Sequence, residues 1–61
     1  MKNVFLTKWD NGKFGVGILK YFTAPDDFRP EDVTEDYDKL EIIESGRVVY
    51  RKVNGIVVYE G

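Results

Sequence analysis

Short runs of Val, Ile and aromatic residues are interrupted by three Xaa-Gly dipeptides, Asn11-Gly12, Ser45-Gly46 and Asn54-Gly55. A two-residue loop between strand-like runs marks a β-hairpin, because both central residues of a type I′ turn need positive φ. Hairpins are therefore predicted about residues 11–12, 45–46 and 54–55. The β-branched bias agrees: twelve Val plus Ile stand against three Leu and one Ala, and branched side chains suit a pleated surface better than a helix.

Each turn proposes a register. A loop at Asn11-Gly12 pairs Asp10 with Lys13, Trp9 with Phe14, Thr7 with Val16 and Phe5 with Ile18. This register gathers Phe5, Trp9, Phe14, Val16 and Ile18 on an expected core face, with Val4, Leu6, Lys8, Leu19 and Tyr21 on the other. Gly15 and Gly17, inside the return strand, signal a bend, a bulge or the close approach of another element. The C-terminal part reads as a meander of Leu40 to Glu44, Arg47 to Val53 and Ile56 to Tyr59. Its turns oppose Glu44 to Arg47, Ile43 to Val48, Val53 to Ile56 and Tyr50 to Tyr59. Leu40, Ile42, Val49, Val53, Ile56 and Val58 then share one face. Ile43, Val48, Tyr50, Val57 and Tyr59 share the other with Glu41 and Lys52. Neither face is purely polar, so coverage on both sides, barrel-like curvature or a partner is expected.

Between the two units, Pro25 and Pro30 exclude a central strand, while Val33, Tyr37 and Leu40 recur at i, i+4, i+7. This spacing predicts a short helix led by Pro30, with Glu31 and Asp32 at the positive end of its dipole. The expected fold is a β-rich α+β domain spanning residues 1–61. It has a five-stranded antiparallel sheet made of a hairpin, a short helix and a three-stranded meander, with closure into a small barrel as the alternative.

The length of 61 residues leaves no room for a second domain, and a chain of about 60 residues buries only about 60% of its unfolded surface. Cysteine and histidine are absent, which removes disulfides, Cys/His zinc sites, thiol nucleophiles and the commonest acid-base group. No secretory signal and no membrane-length apolar run are read, so the expected setting is cytoplasmic, without a membrane. The polar groups suited to catalysis are one Ser in a turn, three Thr and exposed carboxylates. Glu41 and Glu44 could flank a substrate, but a domain this small rarely excludes water around such a pair, so no enzyme is expected.

Charge is segregated along the chain. Asp26 to Glu44 holds nine acidic and two basic residues and the remainder two acidic and seven basic, so −7 and +5 combine to the net −2. Such a dipolar surface orients a charged partner over about a Debye length, ~8 Å at physiological salt. Asp32, Asp36 and Asp38 lack the alternating ligands, turn Gly and terminal Glu of a calcium loop, so neither metal nor cofactor is expected. Gly12-Lys13-Phe14-Gly15-Val16-Gly17 lacks the strand-to-helix context of a phosphate loop and reads as the return strand of a hairpin.

Two functions follow as expectations. The first is a small non-catalytic protein-interaction or regulatory module of inhibitor type, such as a phage or mobile element encodes. It uses an exposed sheet edge or the acidic residues Asp26, Asp27, Glu31, Asp32, Glu35, Asp36 and Asp38 against a basic protein surface. A homodimer is a further expected partner state. The alternative is a small barrel-like nucleic-acid binder that uses Tyr50, Arg51, Lys52 and Tyr59, with Lys8 and Lys20 nearby. Net negative charge ranks it second, because phosphate binding draws on released counterions.

Overall fold

The computed structural model describes residues 1–11 and 13–61, excepting the Phe14 side chain. Its elements are β1 (Lys2–Asp10), β2 (Lys13–Ala24), a 3₁₀ turn (Pro30–Asp32), β3 (Lys39–Glu44), β4 (Arg47–Val53) and β5 (Ile56–Glu60). The strands form one antiparallel sheet in the order β2-β1-β3-β4-β5. The five-stranded hairpin-plus-meander reading holds. The sheet is open, with β2 and β5 as its edges, rather than closed into a barrel.

The Ser45-Gly46 and Asn54-Gly55 turns form as their chemistry requires. Asn11, Ser45 and Asn54 have φ near +50°, and Gly46 and Gly55 have φ of 75° and 81°. The expected placement of Gly12 lies outside the described residues. Next to each turn the register is the expected one, with Asp10 opposite Lys13, Glu44 opposite Arg47, Ile43 opposite Val48 and Val53 opposite Ile56.

Farther from the turns the registers shift. Between β1 and β2 the ladder passes from Asp10↔Lys13 to Trp9↔Gly17, so Thr7 faces Leu19 and Phe5 faces Tyr21 instead of Val16 and Ile18. Gly15 takes φ +84° in the unpaired stretch, which costs glycine little. At Gly17, a Cβ would lie 2.0 Å from the Lys8 carbonyl oxygen. The paired glycines thus serve a bulge and a close backbone approach. Further shifts between Ile42 and Ile43 and between Arg51 and Lys52 bring Tyr50 opposite Ile42 and Glu60, and Arg51 opposite Tyr59. The expected Tyr50–Tyr59 pair is therefore not made.

Because side chains alternate with period two, these shifts change which residues of adjoining strands share a face, and the covering segment selects the face that becomes the core. The core is Val4, Leu6, Ala24, Leu40 and Ile42, on the β1 face opposite to the expected one. Val16 and Ile18, expected inside, are exposed, Ile18 by 78%. Fully burying a side chain such as Leu40 or Ile42 contributes about 1.5–3 kcal/mol. Residues 25–38 cover this face, with Phe28, Val33 and Tyr37 packed on the core and the Phe28 ring edge-on to Phe22 at 5.9 Å.

The expected helix is one 3₁₀ turn, closed by Val33 N–H donating to Pro30 O at 3.2 Å, after which Val33 is extended (φ −72°, ψ 118°). β-branched Val33 and Thr34 and the Asp residues are poor helix formers. Asp36 and Asp38 are instead held by hydrogen bonds to β1. Among the described residues no helix is long and apolar enough to cross a membrane.

Candidate functional site

The acidic segment lies over the covered face and is tied to the sheet. Its carboxylates meet the basic groups of the N-terminal hairpin. Asp26 pairs with the Met1 amino group, Glu35 with Lys20, and Asp36 with Lys8 at 2.7 Å. Asp32 accepts the Arg29 backbone N–H at 2.9 Å, and Glu31 lies 3.8 Å from the Arg29 guanidinium. Asp38 accepts the Trp9 backbone N–H at 2.7 Å, and Asp27 is exposed. The hydrogen bond from Lys8 holds the Asp36 carboxyl below its usual range and raises Lys8 above its own; the Met1–Asp26 bond does the same at the chain start. Exposed pairs of this kind each contribute little, because solvent screens them. Several together still pin a segment that has few apolar anchors. The structure thus brings most of the acidic candidates together as ties within the chain.

The four nucleic-acid candidates are divided between the faces. Tyr50 faces Ile42 and packs on the core, and Lys52 faces Leu40 on the same covered side. Arg51 and Tyr59 face each other on the open side, in a row that runs Tyr21, Phe5, Glu41, Arg51, Tyr59 across all five strands. Within it the Phe5 and Tyr21 rings lie 4.9 Å apart, and Arg51 binds Glu41 through Nε at 2.7 Å and its terminal nitrogen at 2.5 Å. The Glu41 side chain is only 17% exposed, so this ion pair is shielded better than the others. Phe5 and Tyr21 were not among the sequence candidates; three ladder shifts decide which residues share this face.

β5 is the barest element. All five of its residues are exposed, Ile56 by 67% and Tyr59 by 50%, and neither sheet face is covered there. The pair flanking a two-residue turn is hydrogen-bonded, so Ile56 bonds to β4 while the backbone groups of Val57 point to the open edge.

A shallow cavity of about 250 Å³ lies at the other end of the covered face, where Lys2, Glu44, Tyr50 and Glu60 line it. Lys2 is committed to the Phe28 carbonyl at 2.9 Å. Among the described residues no group of three acidic side chains is arranged to hold a metal ion. No family model, no curated protein and no solved structure matches the chain.

Proposed function

We propose that this chain is a small non-catalytic protein-interaction module that captures a partner protein by strand addition on β5. The carrying observation is an edge strand of Ile56, Val57, Val58 and Tyr59, exposed throughout, with no proline and no charged residue between Ile56 and Tyr59. Natural edges are usually blunted by such residues or covered by another element. An added strand receives backbone hydrogen bonds for affinity and alternate side chains for specificity. In this reading the acidic segment steers a basic partner at long range, while its contacts within the chain hold the scaffold.

Val57→Pro tests the proposal, because proline removes one outward N–H while leaving the Ile56 bond to β4 in place. A partner identified by affinity capture with the wild-type chain should bind the variant at least about tenfold more weakly, a loss of ~1.4 kcal/mol, with the melting temperature nearly unchanged. If binding persists in Val57→Pro but is lost in the triple change Asp32→Lys, Glu35→Lys and Asp36→Lys, docking is through the acidic segment instead.

The open row of aromatics with Arg51 favours a second reading, single-strand binding by stacking. A titration with single-stranded DNA that collapses in Arg51→Ala and Tyr59→Ala supports it. Salt-insensitive or absent binding removes it.

A further inference from the structure

We propose that the open face of the sheet is the interface between two copies of this chain, packed face to face, with the two 25–38 segments on the outer surfaces. This pairing leaves both β5 edges free and does not depend on strand addition. Its first ground is the distribution of apolar side chains. Among the described residues nine large hydrophobics are exposed, while the buried core is five residues with Phe22, Phe28, Val33, Tyr37, Val49 and Tyr50 partly buried against it. Among the nine, Leu19, Tyr21, Ile56 and Tyr59 lie on the open face. A domain this small gains little stability from one thin core and commonly needs a staple or oligomerisation. Cysteine is absent, and a second copy is the cover present wherever the chain itself is made.

Size is the second ground. Five strands at ~4.8 Å spacing and ~3.3 Å per residue present roughly 400 Å² of flat face. Side-chain relief brings this toward the ~800 Å² per partner of a standard interface.

Charge is the third. The central ion pair, Glu41 with Arg51, is neutralised within one copy, and Lys39, opposite Thr7 and Val53 near one end of the face, is a further charge whose long side chain can reach water at the rim. The acidic cover lies behind the sheet. With layers ~10 Å apart, two such covers are separated by about 30 Å, several Debye lengths at ~8 Å each. Association through the acidic side would bring like charges together instead.

Sedimentation and thermal melts over a concentration series test this on the wild-type chain. The expected result is a two-chain mass at about 100 µM, above the micromolar Kd that interfaces of this size reach, with a melting temperature that rises with concentration. Leu19→Glu and Ile56→Lys, on the open face, should each weaken association at least tenfold. Ile18→Lys should not, because Ile18 faces Lys8 on the other side of the sheet. If the open-face variants fail to fold, dilution shifts in the wild-type NMR spectrum locate the contact, with Phe5, Tyr21 and Tyr59 side chains expected to move. A one-chain mass up to millimolar concentration with concentration-independent melting overturns the proposal. So do a mass that grows beyond two chains, loss of association in Ile18→Lys alone, or dilution shifts confined to β5 backbone amides.

Discussion

Gly15 and Gly17 occupy the same strand two residues apart, yet different physics acts on each. A Cβ at Gly15 meets nothing within 4 Å, and only its φ of +84° opposes a side chain. A Cβ at Gly17 falls 2.0 Å from the Lys8 carbonyl oxygen and 2.7 Å from its carbon, both backbone atoms that move only if β1 moves. Gly15→Ala should therefore cost about 1 kcal/mol, the usual penalty for placing a side chain at positive φ. Gly17→Ala should cost about 3 kcal/mol or more, at or beyond the upper end of overpacking penalties. Urea unfolding followed by the fluorescence of Trp9, the single tryptophan, measures both. Equal losses at the two positions would mean that β1 yields at Lys8 and that the close approach does not set the register.

At the scale of elements, the turns were legible and the faces were not. Ser45-Gly46 and Asn54-Gly55 determine the pairs beside them by local backbone preference alone, and those pairs are the expected ones. The ladder shift beside Trp9 is signalled by Gly15 and Gly17, though not its size, whereas the shifts after Ile42 and Arg51 carry no local signal comparable to an Asn-Gly turn. They are selected by what packs on the sheet. Val4 and Leu6 receive Leu40 and Ile42 as neighbours and Phe28, Val33 and Tyr37 as cover, a long-range choice that the hairpin pattern does not contain. The helical spacing of Val33, Tyr37 and Leu40 misled for the same reason, since anchoring an extended cover and starting β3 meet the same apolar requirement. Asp38 joins these parts. Its backbone N–H donates to Thr7 O at 2.8 Å, its carbonyl accepts Asn54 N–H at 2.8 Å, and its carboxylate accepts Trp9 N–H at 2.7 Å. Asp38→Ala leaves the partly buried Trp9 N–H without that acceptor and should cost about 1–3 kcal/mol. Asp38→Asn keeps an acceptor oxygen and should cost less. Hydrogen exchange at the Trp9 amide should quicken in the alanine variant; unchanged protection there would show that the carboxylate does not hold the two ends together.

For the molecule as a whole, the segregation of charge along the sequence becomes attraction between layers. The acidic cover lies on a sheet whose N-terminal hairpin supplies the Met1 amino group, Lys8 and Lys20, so charges remote in sequence become neighbours. This arrangement sets a pH dependence with two limbs. Asp26 and Asp36 are held below their ordinary values, chiefly by hydrogen bonds from Met1 and Lys8. Their contribution is therefore present above the unfolded carboxyl value of ~3.9 and is lost as pH falls through the folded value. The Met1 amino group and Lys8 are raised by the same bonds. Their contribution is present below the unfolded values, ~8 for an α-amino group and ~10.4 for lysine, and is lost as pH rises through the folded ones. Melting temperature should thus be flat between about pH 5 and 7, then decline below about pH 4 and again above about pH 8. All four groups are solvent-exposed, so both limbs should be shallow and should flatten further in high salt. Thermal melts of the wild type and the double variant Asp26→Asn, Asp36→Asn measure the acid limb. The variant should be slightly less stable at pH 7 and should lose less on going to pH 3. If its acid loss equals that of the wild type at low salt, these two carboxylates do not fasten the cover, and the apolar anchors Phe28, Val33 and Tyr37 hold it together with the ties of Glu35 and Asp38.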